Sequence, residues 1–283
     1  MKYHRAYIEL TNICGLECSF CPPKTNPTAT MKLDFFEKIL LQLAPYTKKI
    51  ALHVMGDPLA LKNIKEYLDI ASKYDFEVMI TTSGKYLNNH TNIFHSSLKQ
   101  INVSLNSFNK NSMKISFDTY MDGVFKLCEK RVDEEVFINL RLWNLDENGT
   151  ENAYNLKIFE KLADYFKVVF PKDILMNPPK SFRLSKKILL HFDSYFEWPS
   201  LQNTHNTQGF CHGLSSQIAI LADGRVVPCC LDGDGIINLG SLHVNTLKEI
   251  LNSKRATDIV EGFKNNKAVE ELCAKCSFKD RFN

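Results

Sequence analysis

Strand-like and helix-like segments alternate along the first 170 residues. Short apolar runs with period-two alternation predict strands at 6–10, 49–55, 76–82, 101–107, 135–143 and 167–170. Apolar residues at helical spacing predict helices at 33–44, 61–74, 91–98, 117–132 and 152–166. This order is typical of parallel βα units with right-handed crossovers. Six steps are fewer than the eight of a closed barrel, so we predict an α/β fold, a partial (βα)6 TIM-like barrel.

Polar residues recur at every second position of several predicted strands, whereas buried parallel strands are usually continuous apolar runs. Because successive side chains point to opposite faces, one face would be apolar and the other would line a cavity for a polar ligand. A sheet with one solvated face is the alternative. Residues of this polar face that could contact a substrate are His53, Asn139, Arg141 and Trp143. His53 could equally be a hydrogen-bonded core histidine.

The pattern changes after residue 170. Prolines are frequent from 171 to 210, which predicts a bridging segment. Two β-like runs flank Asp223-Gly224 in 217–230 and predict a hairpin, and 245–263 is predicted to be helical. We therefore expect a barrel at 1–170, a bridge at 171–210 and a small hairpin-and-helix domain at 211–283.

Charge and hydropathy exclude few functions. The net charge of +3 and the pI of about 8.3 do not indicate nucleic acid and do not exclude it. The basic stretch 181–187 is more typical of a solvated face than of a site for an acidic substrate or RNA. No apolar run approaches the roughly 18 residues of a membrane helix, and the N-terminus lacks a signal peptide's apolar region. We expect a cytoplasmic protein.

Eight of the nine cysteines fall into two groups, which points to metal ligation because a reducing cytosol disfavours disulfides. Cys14, Cys18 and Cys21 follow the first strand, at the end of a parallel sheet where ligands bind. Thiolates suit iron–sulfur clusters and zinc. Three of them can hold three irons of a cubane and leave the fourth iron open. Cys128 stands apart and is expected to be a small core residue.

The motif Cys-x3-Cys-x2-Cys, with Phe20 before its last cysteine, resembles that of the radical S-adenosylmethionine (SAM) superfamily. The resemblance implies a 4Fe–4S cluster whose open iron is chelated by SAM. It also implies reductive cleavage of SAM to methionine and a 5′-deoxyadenosyl radical that abstracts hydrogen from a substrate. The catalytic ligands would be Cys14, Cys18 and Cys21, and the electron donor a reductant such as flavodoxin or ferredoxin. A zinc site is the alternative.

Further stretches resemble SAM-binding motifs of that superfamily. "MGDPL" (55–59) is similar to its Gly-Gly-Glu-Pro motif, with Met55 in place of glycine and Asp57 in place of glutamate. "TTSG" (81–84) is similar to Thr-Thr-Asn-Gly. Arg141 could pair with the SAM carboxylate or form a structural ion pair with Glu9. The implied SAM-binding residues are Phe20, Gly56, Asp57, Pro58, Ser83, Ser104, Asn106 and Arg141.

The spacing Cys211-x12-Gly224-x4-Cys229 resembles the opening of the SPASM domain, a cysteine-rich extension of radical SAM enzymes. Only Cys273 and Cys276 follow, as in the shortened version called twitch, which holds one auxiliary 4Fe–4S cluster. The implied ligands are Cys211, Cys229, Cys273 and Cys276. Cys230 is surplus, and the glycine spacing favours Cys229. A structural zinc site is the rival interpretation.

We expect an oxidoreductase in which an auxiliary cluster assists a net oxidation or a bond formation on an unidentified substrate. The alternatives are an RNA- or peptide-modifying radical SAM enzyme and a non-catalytic iron–sulfur redox protein. Few residues precede the first predicted strand, which argues against a leader-dependent peptide maturase.

Overall fold

The computed structural model describes residues 2–90, 92–111, 114–130, 135–195, 197–204 and 207–282. The chain divides into two compact units. Unit 1 comprises Met1–Cys14, Pro22–Val78 and Phe196–Asn283, and unit 2 comprises Gly15–Cys21 and Met79–Tyr195.

The strands of the described residues are β1 (Arg5–Ile8), β2 (Lys49–Leu52), β3 (Glu77–Thr82), β4 (Leu98–Ser104), β5 (Phe137–Leu145), β6 (Ser181–Ser185), β7 (Ile188–Ser194), β8 (Gln217–Ile220) and β9 (Val226–Val227). The α-helices are α1 (Leu33–Leu43), α2 (Ile64–Lys73), α3 (Asn106–Asn109), α4 (Phe117–Lys130), α5 (Asn152–Phe166), α6 (Leu247–Leu251), α7 (Lys254–Lys264) and α8 (Glu271–Ala274). The mostly parallel strands and intervening helices confirm the predicted α/β class.

Unit 1 contains the strand order β2-β1-β8-β9. Strand β1 pairs in parallel with both β2 and β8, so Ala6 lies opposite Ile50 on one side and Ile218 on the other. The predicted hairpin is confirmed as β8 and β9, which pair antiparallel. Its addition to β1 was not predicted, and it carries the C-terminal part of the chain onto the same sheet.

Unit 2 contains the strand order β6-β7-β5-β4-β3, in which β5 pairs in parallel with β4 and β7. Helices α4 and α5 each bury one apolar stripe, as their spacing predicted. Strand β6 pairs antiparallel with β7.

The predicted strand at 167–170 is wrong. Lys167 takes a left-handed conformation (φ 55°) at the end of α5, and Val169 is 89% exposed. The parallel partner on this side of β5 is β7, which lies within the stretch expected to be a bridge. Burial alternates along β7, so this strand has one buried face, whereas no residue of 167–170 is buried.

Two predicted helices differ from the structure. Residues 92–97 form no helix, and residue 91 lies outside the described part of the chain. The helix expected at 245–263 is two helices, because Thr246 caps α6 with a capping box and Ser253 caps α7. Helix α4 ends at Lys130, and the last two residues predicted for it are not described.

Candidate functional site

The part of the cysteine loop that belongs to unit 2, Gly15–Cys21, is held by hydrogen bonds to its backbone. The Cys21 N–H donates to the Cys18 carbonyl oxygen at 3.0 Å, and Lys85 Nζ donates to the carbonyl oxygen of Gly15 at 2.5 Å. Gly15 has φ +70°, and a Cβ there would overlap the hydroxyl of Tyr86. Cys14 is half-buried, Cys18 is buried and Cys21 is exposed.

Cys18 is surrounded by hydrogen-bond donors. Asn111 Nδ2 lies 2.9 Å from its Sγ. Hydrogen bonds with Cys21, and with Asn111 and Ser107, together lower the pKa of Cys18 to about 6 against the opposing effect of burial. The thiolate, the form that binds metals, is therefore favoured at neutral pH.

The Gly-Asp-Pro stretch after β2 packs against the backbone that leads to Cys14. The Asp57 N–H donates to the Ile13 carbonyl oxygen at 3.0 Å, and a Cβ on Gly56 would overlap the carbonyl oxygen of Thr11. The Asp57 carboxylate accepts from the Leu59 N–H and caps a short 3-10 turn that begins with Pro58. Glycine is thus required at 56 by the approach of two backbones.

Glu9 has a structural role that the sequence did not reveal. It is buried, and its carboxylate oxygens accept from the backbone N–H groups of Met55 at 2.8 Å and Ala222 at 3.1 Å. Burial raises the pKa of Glu9, against the effect of these bonds. Glu9 thus joins β1 to the segments that follow β2 and β8.

The turn after β3 is tightly fixed. The Gly84 N–H donates to Thr82 Oγ1 at 3.1 Å, and the Lys85 N–H donates to Ser83 Oγ at 3.3 Å. The buried Tyr120 hydroxyl donates to the Ser83 carbonyl oxygen at 2.9 Å. At the end of the next strand, Ser104 is the last residue of β4, and the buried Asn106 is the first residue of α3.

A ladder of polar side chains crosses β4, β5 and β7. Asn102 Nδ2 donates to the Ile80 carbonyl oxygen, so its Oδ1 faces Asn139 Nδ2 at 3.1 Å. Asn139 Oδ1 therefore faces His191 Nε2 at 3.2 Å and accepts a hydrogen bond from its N–H group. Burial, with the positive charges of Arg141 and Lys180, lowers the pKa of His191. His191 is thus neutral at pH 7, with its acceptor lone pair on Nδ1.

The other predicted substrate residues make aromatic contacts. The Arg141 guanidinium lies 4.3 Å from the centre of the Trp143 ring. The half-buried His53 follows β2 and meets Tyr7 edge-on, with ring centres 5.3 Å apart. The sequence does not point to His191, because this residue lies in the stretch predicted to be a bridge.

A buried carboxylate with four donors lies at the start of α5. Glu151 Oε2 accepts from Asn109 at 3.0 Å and Asn144 at 2.8 Å, and Oε1 accepts from Tyr195 at 2.8 Å and pairs with Lys110 Nζ at 2.5 Å. The Tyr195 ring in turn lies 5.2 Å from that of Phe20 in the cysteine loop. Burial raises the pKa of Glu151, but the four hydrogen bonds together lower it.

All five C-terminal cysteines line one cavity of about 100 Å³ in unit 1. Tyr7 and Asp232 also line it, with mostly apolar side chains between them. Burial raises the pKa of each thiol, most strongly at Cys229 and Cys273. Cysteines far apart in sequence are thus brought around a single space.

The adjacent pair Cys229 and Cys230 differ in their surroundings. Cys229 interacts electrostatically with Cys230, Cys211 and Cys273. Cys230 is hydrogen-bonded with the Tyr7 hydroxyl, and it packs with Tyr7 against an apolar cluster of Val54, Ala219, Leu221 and Val227. Both cysteines interact with Cys211 and line the same cavity, and Cys230 differs from Cys229 by its additional hydrogen bond to Tyr7 of β1.

Two family models match the chain. The model of the radical SAM superfamily matches residues 8–147. The model of SPASM, an iron–sulfur cluster-binding domain, matches residues 211–277. The chain belongs to the radical SAM superfamily. The family predicted from the cysteine spacings is thereby confirmed, and the chain is a radical SAM enzyme with a C-terminal SPASM domain.

Solved structures share the fold of this radical SAM chain. BtrN in complex with AdoMet and 2-DOIA has a TM-score of 0.58 at 18% identity, covering 97% of this chain and 93% of that chain. Native anSMEcpe with bound AdoMet has a TM-score of 0.61 at 13% identity, covering 97% and 87%. Streptococcus suis SuiB bound to precursor peptide SuiA has a TM-score of 0.51 at 10% identity, covering 100% and 73%. A comparison with curated proteins gives no match.

Radical SAM and SPASM domains imply three kinds of cofactor, namely a SAM-binding 4Fe–4S cluster, SAM itself and auxiliary iron–sulfur clusters. In the described part of the chain, no three His, Cys, Asp or Glu side chains are arranged as ligands of a metal ion. The two cysteine groups fit iron–sulfur clusters because their donors are soft thiols, and because the five C-terminal thiols surround a cavity. Among the described residues, no helix is long and apolar enough to span a membrane.

Glu151→Gln is expected to lower the free energy of unfolding by about 3 kcal/mol, because it leaves Lys110 without its buried partner. The folded-state pKa of Glu151 is lowered, so this stabilisation is present above about pH 4.5 and is lost as the pH falls through the lower folded-state value. Urea unfolding followed by circular dichroism at several pH values measures both effects.

The matched control is Glu147→Gln, an exposed glutamate four residues earlier in the same loop. It should change the stability by less than about 0.5 kcal/mol. The role given to the hydrogen bonds around Glu151 would be contradicted if both variants lost the same free energy of unfolding. It would also be contradicted if the loss in Glu151→Gln did not become smaller at acidic pH.

Proposed function

We propose that this radical SAM enzyme carries out a net oxidation of a polar substrate, with an auxiliary cluster as the acceptor of the electron left on the substrate. With both clusters and SAM bound, the cofactors supply a 5′-deoxyadenosyl radical that removes a hydrogen atom from a substrate carbon. Loss of one further electron and a proton then completes a two-electron oxidation. The observation that carries the proposal is the convergence of the C-terminal thiols on one cavity.

The proposal assigns Cys14, Cys18 and Cys21 to the SAM-binding cluster, which leaves one iron for SAM. It assigns Cys211, Cys229, Cys273 and Cys276 to the auxiliary cluster. Four thiolates saturate a 4Fe–4S cluster, so the auxiliary cluster has no iron open to a substrate. Electron transfer is the function that such a saturated cluster can serve.

Residues of the chain would position SAM and the substrate. SAM would be bound by the Gly56–Pro58 backbone, Phe20, Ser83, Ser104, Asn106 and Arg141. Asn102 is fully buried and fixes the orientation of Asn139, which in turn contacts His191. Asn139 and His191 are the members of the ladder proposed to contact a substrate hydroxyl or amide, and His191 Nδ1 can accept a proton. His53 and Trp143 remain proposed substrate contacts.

A cytoplasmic flavodoxin or ferredoxin is proposed as the electron donor. The bond-forming alternative uses the same hydrogen abstraction, after which the substrate radical attacks a second group and the adduct loses one electron and one proton. A bond formed within one molecule also makes the product lighter by two hydrogen atoms, so fragmentation of the product in tandem mass spectrometry separates the two outcomes.

Anaerobic reconstitution with iron and sulfide, followed by dithionite and SAM, tests the proposal. We expect about eight irons per chain and the formation of 5′-deoxyadenosine and methionine. Sugar alcohols, nucleosides and peptides are then screened for faster deoxyadenosine formation, and the oxidised product should be lighter by two hydrogen atoms. Iron without any deoxyadenosine would instead identify an electron carrier, and zinc in place of iron would exclude the catalytic proposal.

A further inference from the structure

The side chain of Asn111 connects the cysteine loop to helix α3. Its Nδ2 donates to the Ser107 carbonyl oxygen at 2.7 Å and lies 2.9 Å from Cys18 Sγ. Its Oδ1 accepts from the Glu17 N–H at 2.9 Å. Asn111 thus contacts the cysteine loop at two neighbouring residues, although 93 residues separate it from Cys18.

The orientation of this amide follows from its partners. The Glu17 N–H can only donate, so it must face the amide oxygen. The Ser107 carbonyl oxygen can only accept, so it must face the amide nitrogen. The second N–H of the same nitrogen is therefore directed at Cys18 Sγ, and a flipped amide would lose all three contacts.

The segment that carries Asn111 is anchored on its other side. Asn109 and Lys110 both bind the buried Glu151 carboxylate, at 3.0 Å and 2.5 Å. Ser107, itself buried, also places its side chain in hydrogen-bonding contact with Cys18. The donors to the sulfur are therefore held by a fixed framework and not by a mobile surface loop.

We propose that Asn111 is a positioning residue that raises the reduction potential of the SAM-binding cluster through its N–H···S bond to Cys18. A donor directed at a ligand sulfur stabilises the added negative charge of the reduced cluster, and hydrogen bonds to cluster sulfurs are a recognised determinant of potential. Ser107 acts on the same sulfur and in the same direction. The inference rests on the proposed assignment of Cys18 as a ligand.

The test is an anaerobic redox titration of the reconstituted full-length enzyme, followed by electron paramagnetic resonance. The SAM-binding cluster is identified as the reduced signal that changes when SAM is added. Asn111→Leu, which keeps the side-chain size, should lower the ratio of reduced to oxidised cluster about tenfold at a fixed ambient potential. Ser107→Ala should lower it by a smaller factor.

Asn109→Leu is the matched control, because it makes the same substitution two residues away and removes a bond to Glu151 but none to a sulfur. It should change the ratio far less than Asn111→Leu, because Lys110 still anchors the segment to Glu151, and the auxiliary cluster should titrate as in the wild type in every variant. An equal shift in Asn109→Leu would overturn the inference, because the effect would then come from the packing of the segment.

Two further outcomes would also overturn it. In the first, Asn111→Leu and Ser107→Ala have normal iron content and the same ratio of reduced to oxidised SAM-binding cluster as the wild type. The other is loss of the SAM-responsive cluster from both variants, which would make these residues structural supports only. Failure of the proposed function has a different signature, because the wild type itself would then show no SAM-responsive signal.

Discussion

Replacement of Cys14, Cys18 and Cys21 together by alanine is expected to abolish 5′-deoxyadenosine formation and to halve the iron content, from about eight to about four per chain. The reason is that these thiols are the only ligands proposed for the SAM-binding cluster, while the C-terminal thiols line a separate cavity. Iron analysis and chromatography of the anaerobic reaction give the two numbers on the same sample.

Cys128→Ala is the control for the loss of a thiol. Cys128 is buried in α4 and belongs to neither cysteine group, so its replacement should leave both the iron content and the deoxyadenosine yield at wild-type values. Deoxyadenosine formation by the triple variant at the wild-type rate would exclude the N-terminal cysteines as the catalytic ligands. Retention of about eight irons would exclude them as cluster ligands.

Cys229→Ala is expected to remove the auxiliary cluster, whereas Cys230→Ala is expected to retain it. Cys229 lies near Cys211 and Cys273, so its loss leaves only three of the four thiols proposed as ligands of the auxiliary cluster. Cys230 is held by the Tyr7 hydroxyl and by the apolar cluster of unit 1, and its loss removes only a small packing contribution of about 1–2 kcal/mol.

The measurement is iron per chain, with the SAM-responsive signal as an internal reference that both variants should keep. About four irons in Cys229→Ala and about eight in Cys230→Ala are the expected values. The reverse pattern would assign Cys230 as the ligand. Full iron in both variants would show that either thiol can complete the cluster, which would contradict the distinct roles given to them.

The elements that the sequence predicts correctly are those whose signals lie within a few neighbouring residues. Helices α1, α2, α4 and α5 were anticipated because each carries a local 3.6-residue period. The strand at 167–170 failed because a short apolar run shows no partner, and the exposure of Val169 is set by the end of α5. Strand β7 was missed because its pairing with β5 depends on residues about 50 positions away.

The candidate site also has features with short-range sequence signals and features that depend on contacts between distant residues. The cysteine spacings and the stretches 55–59 and 81–84 lie within short windows, and they were sufficient to predict the superfamily and its cofactors. The hydrogen bond from Asn111 to Cys18, the Glu151 network and the amide ladder to His191 join residues that no spacing relates. Such partners become visible only when the chain is folded.

By itself, the sequence determined the α/β class, the two groups of thiols and the kind of chemistry that thiols at these spacings support. These properties depend on residue type and local periodicity. Only the tertiary structure decided that the five C-terminal thiols share one cavity, that Cys230 is tied to Tyr7, and that the half-buried amide of Asn111 is directed at Cys18. Those features arise from close packing, which brings residues together by shape and hydrogen bonding irrespective of their separation along the chain.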